Sequence, residues 1–245
     1  MNNLLIDIGN SRMKCSLSVN GKMSRFHSIL YDKRKFRKQF QSVLFHYKDK
    51  FNELFVSSLD RKYNSVIESL SLKCKINFIS SESSLPLKID YAKTLGSDRI
   101  CSAVGALKKF SKHINILVID LGTATTFNII SNGIYKGGMI SAGLNTASVA
   151  LLNKTTLPKV VLNSKIGLVN KSTKSAIISG LVLQQVLFIE KAIEMYKKLF
   201  KNLFVIITGG GAGIIGKKIN GIDKIELQLV LEGLNYIALH NKKNQ

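Results

Sequence analysis

Apolar residues fall along this chain in short runs and periodic stretches that name its elements one after another. Leu4-Leu5-Ile6 is a compact apolar run closed by Asp7 and Gly9, the pattern of a buried strand entering a turn. Met13–Ser18 and Lys22–Ser28 flank Asn20-Gly21. Because Asn-Gly supplies the two positive-φ residues of a type I′ turn, these segments predict a hairpin. Residues 31–47 place Phe36, Phe40 and Phe45 among charged positions, as an amphipathic helix does. Strands are predicted at 54–57 and 75–79 around a helix near 60–70, and a further helix over 97–110.

At Ile114 the pattern begins again. The run INILVI ends in Asp120-Leu121-Gly122-Thr123, followed by a β-rich stretch at 125–130, the turn Asn132-Gly133 and a strand at 135–140. Helices are predicted at 143–152, 172–200 and 229–240, with a strand at 203–208 that Gly209-Gly210-Gly211 ends sharply. A strand closing in Asp-x-Gly-Asn/Thr and leading to a hairpin therefore occurs twice. A repeat this long implies two similar halves, 1–112 and 113–245, rather than a solenoid, whose period is about 20–50 residues. Strands mixed with helices throughout make the class α/β.

Composition narrows this picture. With 245 residues, 45% of them hydrophobic, and only two prolines, the chain is neither disordered nor collagen-like. It is long enough for each half to bury a core. Cys15, Cys74 and Cys101 are odd in number and far apart, without CxxC or zinc spacing, so they read as buried small hydrophobes in a reducing compartment. The first residues lack the basic and apolar regions of a signal peptide, and runs such as Ile114–Ile119 are far shorter than the roughly 20 residues of a membrane helix. The expectation is a cytoplasmic protein without membrane association.

Lys and Arg number 36 against 15 Asp and Glu, a formal charge of +21 that invites a nucleic-acid reading. Two features argue against it. Only Arg12, Arg25, Arg34, Arg37, Arg61 and Arg99 are arginine, the residue suited to forked recognition of phosphates and base edges. The densest block, Asp32–Lys38, interleaves with the phenylalanines of the predicted amphipathic helix and reads as its solvated face.

An acid at a strand exit followed by a glycine turn has a chemical use. The turn lets backbone N–H groups approach a phosphate, Asn10, Ser11 or Thr123 bonds its oxygens, and the carboxylate holds a hydrated cation nearby. Two such turns would clamp one polyphosphate, and Lys14 adds a point charge. Gly96-Ser97-Asp98-Arg99 opens a predicted helix, where Asp98 reads either as a helix cap or as a proton acceptor. Arg99 beside it suits a carboxylate or amide oxygen. Gly211–Gly216 spells GxGxxG, but fewer than thirty residues follow it, too few for a dinucleotide half-domain. With Lys217 it spells GxxxxGK, yet Lys218 replaces the magnesium-binding Ser/Thr. A tight strand-to-helix turn and a glycine wall for adenosine are the two remaining readings. His27, His46, His113 and His240 have no metal spacing.

Taken in order, Asp7–Lys14, Gly96–Arg99, Asp120–Thr126, Gly137–Ile140 and Leu157-Pro158 resemble the type III pantothenate kinases over nearly the whole chain. The resemblance implies a duplicated actin-like (ribonuclease H-like) ATPase fold whose two halves have mixed sheets flanked by helices. It implies a homodimer that phosphorylates pantothenate from ATP, the first step of coenzyme A synthesis. In such a kinase Asp7, Ile8, Gly9, Asn10, Ser11, Arg12, Met13, Lys14 and Thr123 bind ATP, and Asp98 is the catalytic proton acceptor. Tyr91, Gly96, Ser97, Asp98, Arg99 and Thr173 bind pantothenate. Asp120 holds potassium or ammonium, and Mg2+ accompanies the nucleotide.

Three departures stand against the family pattern. Asn128 occupies a position usually held by aspartate, Ser141-Ala142-Gly143 replaces Ser-Pro-Gly, and the step from Tyr91 to Gly96 is about two residues short. The alternative function is a basic nucleic-acid-binding or regulatory protein that keeps the kinase fold without activity.

Overall fold

The computed structural model describes residues 2–243. In chain order the elements are β1 (Asn2–Ile8), β2 (Arg12–Val19), β3 (Lys22–Met23), β4 (His27–Leu30), α1 (Phe36–His46), β5 (Glu53–Ser58), α2 (Arg61–Glu68), β6 (Lys75–Phe78), β7 (Lys88–Ile89) and α3 (Ser97–Lys109). They continue as β8 (Asn115–Leu121), β9 (Ala124–Ser131), β10 (Ile134–Gly137), β11 (Ile140–Ala142), α4 (Leu144–Asn153), α5 (Thr173–Leu199), β12 (Phe204–Thr208), α6 (Ala212–Ile215), β13 (Lys224–Ile225) and α7 (Leu229–Lys243). Two compact units result: one holds residues 2–111, Gly133–Tyr135 and 228–243, and the other holds 112–132 and 136–227. The first unit thus takes in a hairpin tip and the last helix, both of which lie beyond residue 112 in the chain.

In the first unit the strand order is β3-β2-β1-β5-β6, with β4 on the outer edge of β2. β1 runs antiparallel to β2, Ile8 facing Met13, and parallel to β5. Because side chains alternate across a strand, Leu4, Ile6, Ile8, Met13 and Cys15 share one face and bury against Phe36, Phe40 and Val43 of α1 and Ile67 of α2. Asp7, its cross-strand partner Lys14 and its parallel neighbour Ser57 share the opposite face. That face meets α3 through a Ser57–Ser97 hydrogen bond and α7 through Ser18 Oγ, which donates to Asn235 Oδ1 at 2.6 Å. α3 and α7 cross closely enough that a Cβ on Gly105 would fall on the Leu229 carbonyl, and one on Gly233 on the Cys101 carbonyl.

In the second unit β8 repeats the role of β1. It is antiparallel to β9 and parallel to β12, with β13 beyond β12 and β11 on β9. Leu117, Ile119, Leu121, Phe127 and Ile129 bury against Val182, Val186 and Ile189 of α5. Asp120, Thr126 and Asn128 lie on the other face. α5 is long and apolar enough to cross a membrane by length and composition, but half of its most apolar window is buried inside the protein, as in a core helix. Polar residues punctuate it, so it contains no long uninterrupted apolar run.

Several predicted boundaries shift for local reasons. The strand expected at 22–28 splits into β3 and β4, because Ser24 Oγ accepts the Leu17 N–H at 3.1 Å and Ser16 Oγ donates to the Ser24 carbonyl at 2.9 Å. These side-chain bonds replace ladder bonds. The helix expected from residue 31 begins at Phe36 after a 3-10 turn, leaving Tyr31 outside it. The strand expected at 135–140 divides into β10 and β11. Both Asn-Gly pairs take positive φ, Asn20 at 49° with Gly21 at 83° and Asn132 at 51° with Gly133 at 70°, as type I′ turns require. The cysteines are free.

Candidate active site

The first turn joins β1 to β2 through Gly9, Asn10, Ser11 and Arg12, and the Gly9 N–H donates to the Arg12 carbonyl at 3.0 Å. Asn10, Ser11 and Arg12 are exposed, while Asp7 and Ile8 are buried. The turn therefore presents polar groups at its tip and keeps its carboxylate beneath. Tyr31 braces it from below, its hydroxyl donating to the Gly9 carbonyl at 2.6 Å. Arg12 is tied back by a 3.2 Å bond to Ser28 Oγ. Lys14 sits half-buried directly across from Asp7, and neighbours at such positions interact.

Asp98 lies in the first turn of α3, whose N-cap is Gly96. Its Oδ1 accepts the Arg99 backbone N–H at 2.8 Å, but Gly96 holds the cap position, so the helix-cap reading of Asp98 gives way to one inside the first turn. Burial pushes the Asp98 carboxyl above the ordinary carboxylate range, opposed by the Arg99 N–H and guanidinium. A carboxylate penalised by desolvation is a stronger proton acceptor. One helical turn on, the Cys101 thiol is fully buried and held well above its usual range by desolvation, with the charges of Asp7 and Asp98 adding to the effect. Asp7 is the ladder neighbour of Ser57, which hydrogen-bonds Ser97 beside Asp98, so both carboxylates lie near the start of α3.

Arg99 is buried at 7% exposure, and its guanidinium lies 5.5 Å from the Tyr91 ring centre and 5.7 Å from that of Tyr135. The two rings meet edge to face at 5.8 Å. Tyr135 is fully buried, and its segment pairs in parallel with β7, Tyr135 facing Ile89. This places the half-exposed Tyr91 beside Arg99 despite the shortened spacing to Gly96. Tyr135 and β7 escape sequence reasoning, because a two-residue strand leaves no periodic signal and Tyr135 reads only as the start of a strand.

The second turn joins β8 to β9 through Gly122 and Thr123, the Gly122 N–H donating to the Ala124 carbonyl at 3.0 Å. The exposed Thr123 offers its carbonyl to the Gly143 N–H at 3.0 Å and to the Thr146 hydroxyl at 2.6 Å, so the start of α4 backs the turn. Half-buried Asp120 faces Thr126 on β9 and Thr208 on β12. Gly209, at φ 89°, passes so near that a Cβ would fall on Asp120 Oδ1. Asn128 is buried and donates from Nδ2 to Thr126 Oγ1 at 3.0 Å. Thr173 begins α5 in an exposed position, and among the described residues no hydrogen bond joins it to this turn.

The glycine segment after β12 forms the four-residue α6 and a 3-10 turn over Gly216–Lys218, too short for the helix of a dinucleotide or Walker loop. Around Gly210 and Gly213 the space that a side chain would fill is open, as an adenosine wall requires. Among the described residues no group of three or more His, Cys, Asp or Glu side chains is arranged to hold a metal ion.

A family model described as type III pantothenate kinase matches residues 3–195. A type III pantothenate kinase from Cytophaga hutchinsonii is 34% identical, over 98% of this chain and 99% of its own length. One from Flavobacterium psychrophilum is 30% identical, over 98% and 99%. Among solved structures, a Campylobacter jejuni protein described as a Baf family transcriptional activator superposes with a TM-score of 0.66 at 21% identity, over 98% of this chain and 99% of its own. A Listeria monocytogenes protein described as an N-acetylmannosamine kinase superposes at 0.60 and 13%, over 99% and 100%. The nucleotide-bound activator of a Clostridium difficile dehydratase superposes at 0.54 and 12%, over 100% and 97%. At these identities the structures carry the fold alone, the duplicated actin-like architecture.

Proposed function

The chain belongs to the type III pantothenate kinase family, and from that premise we propose how its residues divide the work. The protein is an ATP-dependent kinase that phosphorylates pantothenate to 4′-phosphopantothenate, opening coenzyme A biosynthesis. These relatives do not favour the alternative of an inactive nucleic-acid-binding protein.

Asp7–Lys14 and Thr123 cradle the ATP phosphates through turn amides and hydroxyls, with Lys14 adding positive charge. Arg99, flanked by Tyr91, binds the anionic end of pantothenate together with Gly96, Ser97 and Thr173. Asp98 accepts the proton of the substrate hydroxyl as its oxygen attacks the γ-phosphorus and ADP leaves. The observation that carries this assignment is the place of Asp98, a part-buried carboxylate in the first turn of α3 next to the buried Arg99. Asp120 suits a monovalent cation: it is a half-buried carboxylate against a glycine, with neutral Thr126 and Thr208 as its strand neighbours. Potassium or ammonium bound there would neutralise phosphate charge, while Mg2+ enters with the nucleotide.

We assign the protein to the cytoplasm as a homodimer. Val161, Leu168 and Val169 are 86%, 87% and 91% exposed, apolar side chains that a second copy would cover. A sedimentation experiment returning only monomer at assay concentration would remove that part of the proposal. The catalytic assignment is tested by a coupled assay with ATP, pantothenate and either potassium, ammonium or a large organic cation. Transfer with the first two and not the third is expected. Equal transfer with all three overturns the role given to Asp120.

A further inference from the structure

Behind Asp98 lies a buried run of hydroxyl and thiol groups in which Ser57 and Cys101 have no task assigned so far. Ser57, on β5, has no exposed surface, and Ser97 has 5%. Their hydroxyl oxygens are 3.1 Å apart, and Ser97 Oγ also donates to the Ser58 carbonyl at 3.0 Å. Because the Ser97 proton is used there, Ser57 is left as the donor to Ser97. The Cys101 thiol, kept protonated by its burial, hydrogen-bonds Ser57 from one turn further along α3. The hydroxyl relay runs from Ser57 to Ser97 to the Ser58 carbonyl, and it fastens the first turn of α3 to β5. The residue after Ser97 is Asp98. The residue facing Ser57 across the parallel ladder is Asp7.

We propose that Ser57 is a positioning residue for the phosphoryl transfer, fixing the distance between the strand that carries Asp7 and the helix turn that carries Asp98. The inference rests on Asp98 being the proton acceptor. A neutral buried hydroxyl suits the task because it locks the turn without adding charge beside two carboxylates, whereas an unsatisfied partner there would favour displacement of the turn. Small displacements of a reacting group lower turnover far more than binding.

The test compares Ser57→Ala, Ser57→Thr and Asp98→Asn in steady-state assays across pH. Ser57→Ala is expected to lower kcat about 10-fold, with KM for ATP and pantothenate little changed. The acid limb of kcat should also move down toward the ordinary carboxylate range as the loosened turn exposes Asp98. Ser57→Thr, which keeps the hydroxyl, restores both readouts. A Ser57→Ala enzyme with parental kcat and acid limb overturns the proposal, as does a loss of stability with the acid limb unmoved. If Ser57→Ala does not fold, Ser57→Val, which has the shape of the threonine variant without its hydroxyl, decides: a reduced kcat with a shifted limb supports the role, and parental values overturn it. An active Asp98→Asn enzyme would instead overturn the underlying reading of Asp98. An inactive Asp98→Asn enzyme with an unmoved limb in Ser57→Ala removes Ser57 alone.

Discussion

At the turn after β1 the acid faces a lysine and the loop is held by a tyrosine hydroxyl; at the turn after β8 the acid faces a threonine and the loop is held by the start of a helix. Otherwise the two are built alike. Each central strand has an antiparallel neighbour that continues the turn and a parallel neighbour with a buried hydroxyl beside the acid, Ser57 opposite Asp7 and Thr208 opposite Asp120. The contrast sets what each turn is suited to hold. Lys14 brings a cationic side chain to the strand beside the first turn, across the ladder from Asp7, which suits that turn to the oxygens of a polyphosphate. At the second turn the strand neighbours of Asp120 are the neutral Thr126 and Thr208, the setting in which we place the cation. The braces differ in kind as well: side chains support the first turn, and main-chain groups around Gly143 and Gly209 support much of the second.

If the two turns only hold ligands while α3 supplies the chemistry, the loss of Asp98 should outweigh damage to either turn. Asp98→Asn is expected to lower kcat by about 100-fold or more, with ATP binding retained. Its melting temperature at neutral pH should not fall. A carboxyl whose folded pKa is raised contributes stability below its unfolded pKa and loses it as pH rises through the folded value, so the ionised form is already a burden at pH 7. For the same reason the parental acid limb should lie above the ordinary carboxylate range. A near-normal kcat, or a limb at the ordinary value, would contradict the assignment.

Next in size is Gly209→Ala. A methyl group at φ 89° against Asp120 should cost on the order of 1–3 kcal/mol and raise the cation concentration needed for half-maximal activity. An unchanged cation titration would detach Asp120 from the cation. Asn128→Asp follows, with a loss of on the order of 2 kcal/mol, because its Nδ2 now donates to Thr126 Oγ1 and to the Val118 carbonyl. Recovery of the lost melting temperature by potassium, but not by a large organic cation, would support the division of labour between the turns. Tyr31→Phe should have the smallest effect, about 1 kcal/mol and a modest rise in KM for ATP. A melt and KM identical to the parent's would show that the first turn does not depend on its tyrosine.

The amino-acid sequence makes legible the part of the molecule that is encoded locally. Asp7-x-Gly9 and Asp120-x-Gly122 stand at the ends of apolar runs, and both Asn-Gly turns announce their hairpins, so the duplication shows in residues close along the chain. Gly96–Arg99 is recognisable through resemblance. The partners of those residues are not, because they arrive from far along the chain. Tyr135 reaches Arg99 through a two-residue strand, Tyr31 braces Gly9 from outside its predicted helix, and the Ser57–Ser97 bond spans 40 positions. α7 reads from the sequence as one more amphipathic helix. Only the crossing at Gly105 and Gly233 shows that it backs the helix bearing Asp98.

That crossing also bears on biosynthesis. The ribosome makes the turn after β1 and α3 early, then the whole second unit, and only afterwards the segment that packs on α3. During that interval the glycine face of α3 and its neighbouring sheet face lack their native cover. A nascent chain therefore possesses every residue proposed for proton abstraction long before it has the surface that seats them. Catalytic competence should then appear as a late step after release of the C-terminal helix, not gradually as the chain lengthens.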